Sequence, residues 1–208
     1  MEQRTEDWFA ARLGKVTASK IADLMARTKT GPSASRSNYA AQLVAERLTG
    51  KREDGFTNAA MQWGVDTEAE ARLAYEFMHD AAVVEAGFDP HPTIDDAGAS
   101  PDGYVGTDGL IEVKCPNTAT HIATLRGAAI ADKYIKQMQF QMACTGRQWC
   151  DFVSYDPRLP VEMKLHVQRV ERDDAAIAEI EAAVVEFLGE IDATVADLTS
   201  RYMMKEAA

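Results

Sequence analysis

Between Ser100 and Pro116 the chain reads SPDGYVGTDGLIEVKCP, and three of its side chains, Asp102, Glu112 and Lys114, could do chemistry together. Asp102 precedes a glycine turn, nine residues separate it from Glu112, and Lys114 follows two residues later. A hairpin of two short strands would set Asp102 beside Glu112. Strand periodicity would then put Glu112 and Lys114 on one face, with Val113 and Cys115 on the other. Charges inside a run such as LIEVKC are costly to desolvate unless paired or bound to a metal. Two carboxylates with a backbone carbonyl are hard oxygen donors suited to Mg²⁺ or Mn²⁺. Lys114 beside such an ion could help deprotonate its water or stabilise charge developing on a scissile phosphate. Glu68, in WGVDTEAEARLAYEF, would add a carboxylate and room for a second ion if its helix packs over the site. The same spacing also fits a turn aspartate followed by a surface strand pair, and the D-x9-E-x-K pattern alone does not choose between them.

The elements that must hold these residues follow from periodicity and punctuation. Thr5 can cap a short helix to about residue 13, with Trp8, Phe9 and Leu13 on one side, and Thr17 or Ala18 opens a second. Residues 28–37, small, polar and broken by Gly31 and Pro32, read as a mobile loop. Helices are predicted over 38–48, stopped by Gly50, and over 58–79, with Met61, Val65, Ala69, Leu73 and Phe77 at helical spacing. The pattern then turns β-compatible at 81–86, 103–106 and 110–114. A helix over 132–145 ending at Gly146, strands at 148–155 and 162–170, and a long amphipathic helix over 173–204 complete the chain. This order predicts an α/β fold in which a central mixed β-sheet is flanked by helices. One domain spanning 1–208 is expected, with N-terminal helices to 80, a sheet core over 81–170 and a C-terminal helix from 171.

Composition narrows the classes. Apolar residues make up 46% and charged residues 26%, which argues against a disordered chain. No run approaches the ~20 apolar residues of a membrane span, and MEQRTEDWFA lacks the apolar stretch of a secretory leader. Cys115, Cys144 and Cys150 are odd in number and form no C-x-x-C pair, which speaks against a disulfide scaffold or a four-cysteine metal site and for a reducing cytoplasm. His79, His91, His121 and His166 are scattered. The net charge of −11 hides a basic front: residues 1–52 carry ten Lys and Arg against five Asp and Glu. A chain of this kind can bind DNA on one side only.

Pro101-Asp102 with Glu112-Val113-Lys114 matches the PD-(D/E)xK nuclease motif, and further blocks make the match more specific. These are Arg12-Leu13-Gly14 with Thr17-Ala18-Ser19, Trp63-Gly64 with Glu68, Ser100-Pro101-Asp102-Gly103 with Lys114-Cys115-Pro116, Tyr134 with Gln137 and Gln139, and Tyr155-Asp156-Pro157-Arg158. In their order and distances the chain resembles the lambda exonuclease / YqaJ viral recombinase family across most of its length. The resemblance implies a PD-(D/E)xK core and two Mg²⁺ ions per active site, with Mn²⁺ as a substitute. Asp102, Glu112 and the Val113 carbonyl would hold one ion, and Glu68 with Asp102 the other. Lys114 would position or activate the water, and Gln137 would contact the scissile region. Arg12, Ser19 and Ser100, with Gln137 nearby, resemble the family's pocket for a terminal 5′-phosphate. An Arg fork and a serine at a helix start suit that ligand. Tyr134, one helical turn before Gln137, could face the site, whereas Gln139 points elsewhere. The family digests duplex DNA from the 5′ end, leaves a 3′ single strand, forms a trimeric ring and works beside a single-strand annealing protein. A restriction- or repair-type endonuclease on the same core, or a catalytically silent DNA-end-binding scaffold, are the alternatives.

Overall fold

In the computed structural model, Thr5 accepts a hydrogen bond from the Trp8 amide and so starts α1, Glu6–Arg12. The structure describes residues 2–29, 31–52 and 59–203. Asn58 and Met204, expected at helix ends, and the Met61 side chain lie outside them. After α1 come β1 (Val16–Thr17), a 3-10 turn (Ala18–Lys20), α2 (Ile21–Met25), β2 (Arg27–Thr28), β3 (Gly31–Pro32), α3 (Ala34–Thr49) and α4 (Ala59–His79). The strand region holds β4 (Val83–Val84), β5 (Asp89–Pro90), β6 (Ala97–Ala99), β7 (Gly103–Val105) and β8 (Gly109–Lys114). Then follow α5 (Thr118–Leu125), α6 (Asp132–Thr145), β9 (Trp149–Tyr155), β10 (Leu165–Glu171) and α7 (Asp174–Tyr202).

A mixed five-stranded sheet in the order β10-β9-β8-β7-β4 lies between the helices, as expected. β8 runs parallel to β9, with Glu112 opposite Phe152 and Lys114 opposite Ser154, and the other pairings are antiparallel. Alternation along β8 splits its side chains. Leu110 joins the apolar cluster formed with α2, α3, α6 and α7, whereas Ile111 and Val113 face Ala71 and Tyr75 of α4. Glu112 therefore emerges on the α6 side of the sheet.

Several stops fall where the residues demanded them. Gly50 and Gly146 close α3 and α6 in the left-handed region, at φ +64° and +71°, where a side chain would be strained. The expected loop over 28–37 differs. Gly31 and Pro32 belong to a two-stranded hairpin, and Ser33 caps α3 through the Arg36 amide, so the helix begins four residues before 38. The N-terminal part is not purely helical either, because β1 pairs in parallel with β6 in a separate three-stranded sheet. On α4 the apolar stripe Val65, Leu73 and Phe77 faces outward, and Thr67, Ala71 and Tyr75 form the buried face. Between strands β9 and β10, the buried Asp156 carboxylate accepts hydrogen bonds from the Arg158 amide (3.0 Å) and guanidinium (2.7 Å). Burial alone would raise that carboxyl, but bonds from Arg158 and Thr118 hold it down at about 2.

Candidate active site

The hairpin joining β7 to β8 does what the spacing required. Gly103 pairs with Ile111, so Asp102 falls level with Glu112, and its Oδ2 accepts from the Val113 amide at 2.7 Å. The Pro101-Asp102 turn is held from outside. Gln3 Nε2 donates to the carbonyls of Ala86 (3.0 Å) and Pro101 (2.7 Å), and Arg72 of α4 donates to the Asp102 carbonyl at 3.3 Å.

Glu112 is fully buried and every bond to it is charge-assisted. Its Oε1 accepts from the Lys114 ammonium and from Gln137 Nε2 (2.7 Å), and its Oε2 accepts from Gln141 Nε2 at 2.6 Å. Tyr134, Gln137 and Gln141 lie at i, i+3 and i+7 on one face of α6, which turns them all toward β8. The Lys114 ammonium sits 5.2 Å from the centre of the Tyr134 ring, within reach of a cation–π attraction. Gln139 faces away, bonding the Glu171 carbonyl and the Asp173 amide.

Lost hydration and the charge of Glu112 push the Asp102 carboxyl up to about 8. Burial works against the charge on Lys114, but Glu112 and Asp102 together outweigh it and hold the ammonium well above its ordinary value. A divalent cation would suit this donor set: two carboxylates converge with only one ammonium between them, and hard oxygens are the ligands present. Glu68 bears on Asp102 electrostatically but points its oxygens at Arg4 (2.8 Å) and Arg72 (3.6 Å). No group of three or more His, Cys, Asp or Glu side chains gathers closely enough to hold a metal among the described residues.

A second feature adjoins this one. Arg12 and the exposed Ser19 line a cavity of about 470 Å³ with Trp8, Lys20, Tyr39 and Arg52. Ser100 closes the link to Asp102: its Oγ accepts from Arg12 Nη1 at 2.9 Å and from Trp8 Nε1 at 3.0 Å. The Arg12 guanidinium lies 4.0 Å from the Trp8 ring centre, and burial lowers its pKa to about 10, so it stays cationic at neutral pH. Gly14 is gripped from α3, its amide by Glu46 Oε2 and its carbonyl by Arg47 Nε, each at 2.9 Å.

The sequence reading did not foresee Gln3, Arg4, Arg72 or Gln141. Gln141 and Arg72 carried a signal, their four-residue spacings from Gln137 and Glu68. Among the described residues no helix is long and apolar enough to cross a membrane, and the three cysteines are free.

Comparison with known proteins bears on what this arrangement is. No curated protein matches the chain significantly. Among solved structures it is 57% identical to an alkaline exonuclease (LHK-Exo) from Laribacter hongkongensis, with a TM-score of 0.88, covering 95% of this chain and 97% of that one. A structure of LHK-Exo in complex with dAMP matches equally well. A phage-related exonuclease from Haemophilus somnus 129PT shares the fold at 16% identity and a TM-score of 0.68, covering 88% of this chain and 96% of that one. The model of the YqaJ-like viral recombinase domain matches residues 7–148, a span that holds Arg12, Ser19, Glu68, Ser100, Asp102, Glu112, Lys114 and Gln137. By that match and by its likeness to LHK-Exo, the chain belongs to the YqaJ-like viral recombinase family, the family of lambda exonuclease.

Proposed function

We propose that this chain is a metal-dependent exonuclease that degrades one strand of linear duplex DNA from its 5′ end, leaving a 3′ single strand for annealing-type recombination. One observation carries the reading: Ser100, bonded to Arg12, lies two residues before Asp102. The basic cavity is thus tied through Arg12 to the loop that carries Asp102, so a terminal phosphate docked in the cavity would fix which phosphodiester meets the carboxylate pair. The 57% identity to a protein called an alkaline exonuclease supports it, and the complex of that protein with dAMP fits release of mononucleotides.

Asp102, Glu112 and the Val113 carbonyl would hold one Mg²⁺ or Mn²⁺ and Glu68 with Asp102 a second, and bound there the ions would lower the pKa of a water and neutralise charge on the phosphate. The chain's own groups supply the rest. Lys114, kept protonated by Glu112 and Asp102, offers N–H bonds and positive charge to the reacting phosphate. Tyr134 supports that ammonium from below, and Gln137 contacts the scissile region. Arg12 forks the terminal phosphate, and Ser19 and Ser100 add hydroxyl donors. A homotrimeric ring, a single-strand annealing partner, a single domain and a cytoplasmic setting complete the proposal. The outward stripe of α4, with Leu73 at 66% and Phe77 at 90% exposure, gives self-association an apolar surface.

The decisive experiment digests linear duplex labelled separately at each end, beside covalently closed circles, with and without EDTA. Loss of 5′ label first, intact circles and no reaction in EDTA are expected. Cut circles would turn the reading into an endonuclease, and full activity in EDTA would remove the metal.

The cavity makes its own prediction. Arg12→Ala should reduce the preference for 5′-phosphoryl over 5′-hydroxyl ends by about tenfold or more, because a charge-assisted hydrogen bond contributes ~1.5–3 kcal/mol. Equal preference in variant and wild type, measured as the ratio of initial rates on the two substrates, would place the terminal phosphate elsewhere.

A further inference from the structure

Gln141 makes a contact that the scheme above does not use. It is fully buried, its Nε2 donates to Glu112 Oε2 at 2.6 Å, and its Oε1 finds no hydrogen-bond partner among the described residues. An unpaired buried acceptor is unfavourable, so something must hold the amide this way round. The carboxylate does: the opposite orientation would turn a carbonyl oxygen against a buried anion.

The two oxygens of Glu112 are thereby unlike. Lys114 and Gln137 both converge on Oε1, and both are only part-buried, so this oxygen looks toward the cleft. Oε2 looks into the core and, among the described residues, accepts a hydrogen bond from Gln141 alone. Donors stacked two deep on one oxygen occupy the place from which a cation would approach it. The sealed donor on the other oxygen has no such conflict.

We infer that Gln141 is a positioning residue for Glu112: it pins Oε2 in the core, so that Oε1 alone is presented to a divalent cation while Gln137 and Lys114 give way. This rests on the reading of Asp102 and Glu112 as cation ligands. The orientation is set before the cation arrives, and the unpaired Oε1 of Gln141 is the cost of setting it. Outer hydrogen-bond partners of metal ligands typically change affinity by about 10–100-fold when removed.

The test is calorimetric titration of Mn²⁺ into the intact chain without DNA, for the wild type, Gln141→Met, Gln141→Asn and Gln137→Ala. Gln141→Met, of similar length and without the amide, should weaken Mn²⁺ binding about 10–100-fold. Gln137→Ala removes a competitor for Oε1 and should bind within about threefold of the wild type or more tightly. At saturating Mn²⁺ the Gln141→Met enzyme should recover most of its kcat, with KM for DNA unchanged. If cation-free melting shows Gln141→Met unfolded, Gln141→Asn, which withdraws the amide by one methylene but keeps its polarity, should weaken binding in the same direction. Wild-type affinity in the folded Gln141 variants, or an equal loss in Gln137→Ala, overturns the inference while leaving the metal centre in place. Absence of Mn²⁺ binding by the wild type overturns the metal centre itself and this inference with it.

Discussion

Lys114→Ala should bind a 5′-phosphorylated duplex end about as tightly as the wild type and cut it roughly 10²–10⁴-fold more slowly. The two effects separate because the groups are separate. In the proposed scheme Arg12, Ser19 and Ser100 dock the end, whereas the Lys114 ammonium bonds Glu112, feels the charge of Asp102 and lies over the Tyr134 ring. In that scheme, removing it takes away the positive charge offered to the reacting phosphate. It also leaves the buried Glu112 with two amide donors, Gln137 and Gln141. Loss of one partner of a buried ion pair costs about 3–5 kcal/mol, so the variant should melt earlier and needs assay well below its Tm. Binding is read by fluorescence anisotropy of an end-labelled duplex, cutting by release of label. Digestion at the wild-type rate would take Lys114 out of the mechanism. Loss of binding in step with cutting would move it into the end-docking site.

How far the residues alone reached toward this site has a physical pattern. Asp102, Glu112 and Lys114 were legible because a turn and a two-residue period decide their faces, and both are local. The ends of α3 and α6 were legible because Gly50 and Gly146 meet a conformational need that few other residues meet. β1, β5 and β6 were not, since two or three residues are too few to show alternation. The 28–37 stretch misled for a related reason: Gly31, Pro32 and Ser33 serve a hairpin and a helix cap as readily as an open loop. The stripe on α4 had the right period, but periodicity does not say which face the sheet will claim, and Thr67, Ala71 and Tyr75 were chosen. Gln3 and Arg4 stayed invisible because their partners lie far away, as with Gln3 and Pro101, 98 residues apart, and the bond from Arg72 to the Asp102 carbonyl likewise spans 30 residues. Gln141 escaped because a helical glutamine is usually a surface residue, and its burial appears only once α6 packs on β8.

Asp102→Asn should lose cleavage by at least about a thousandfold and yet make the cation-free protein more stable. The carboxyl is held up near 8 by lost hydration and by the charge of Glu112. A carboxyl raised in the folded state binds more protons folded than unfolded, so stability falls as pH rises from the ordinary carboxylate value toward 8 and stays low above it. Asparagine abolishes that penalty and keeps an oxygen to accept the Val113 amide, the bond that Asp102 Oδ2 makes at 2.7 Å. A Tm higher by roughly 2–6 °C at pH 8.5 is expected, since 1 kcal/mol moves a chain of this size by about 2–4 °C, and the difference should shrink toward pH 5. Mg²⁺ should then invert the comparison. The wild type gains stability with cation concentration, as any ligand that binds only the folded state requires, and the variant gains little because half of its carboxylate pair is gone. Melting curves over pH 5–9, with and without Mg²⁺, read all of this without DNA. Equal melting temperatures at high pH without cation would mean that Asp102 carries no such burial penalty; an equal response to Mg²⁺ would mean that the two carboxylates do not share a cation, and the case for hydrolysis at this loop would go with it.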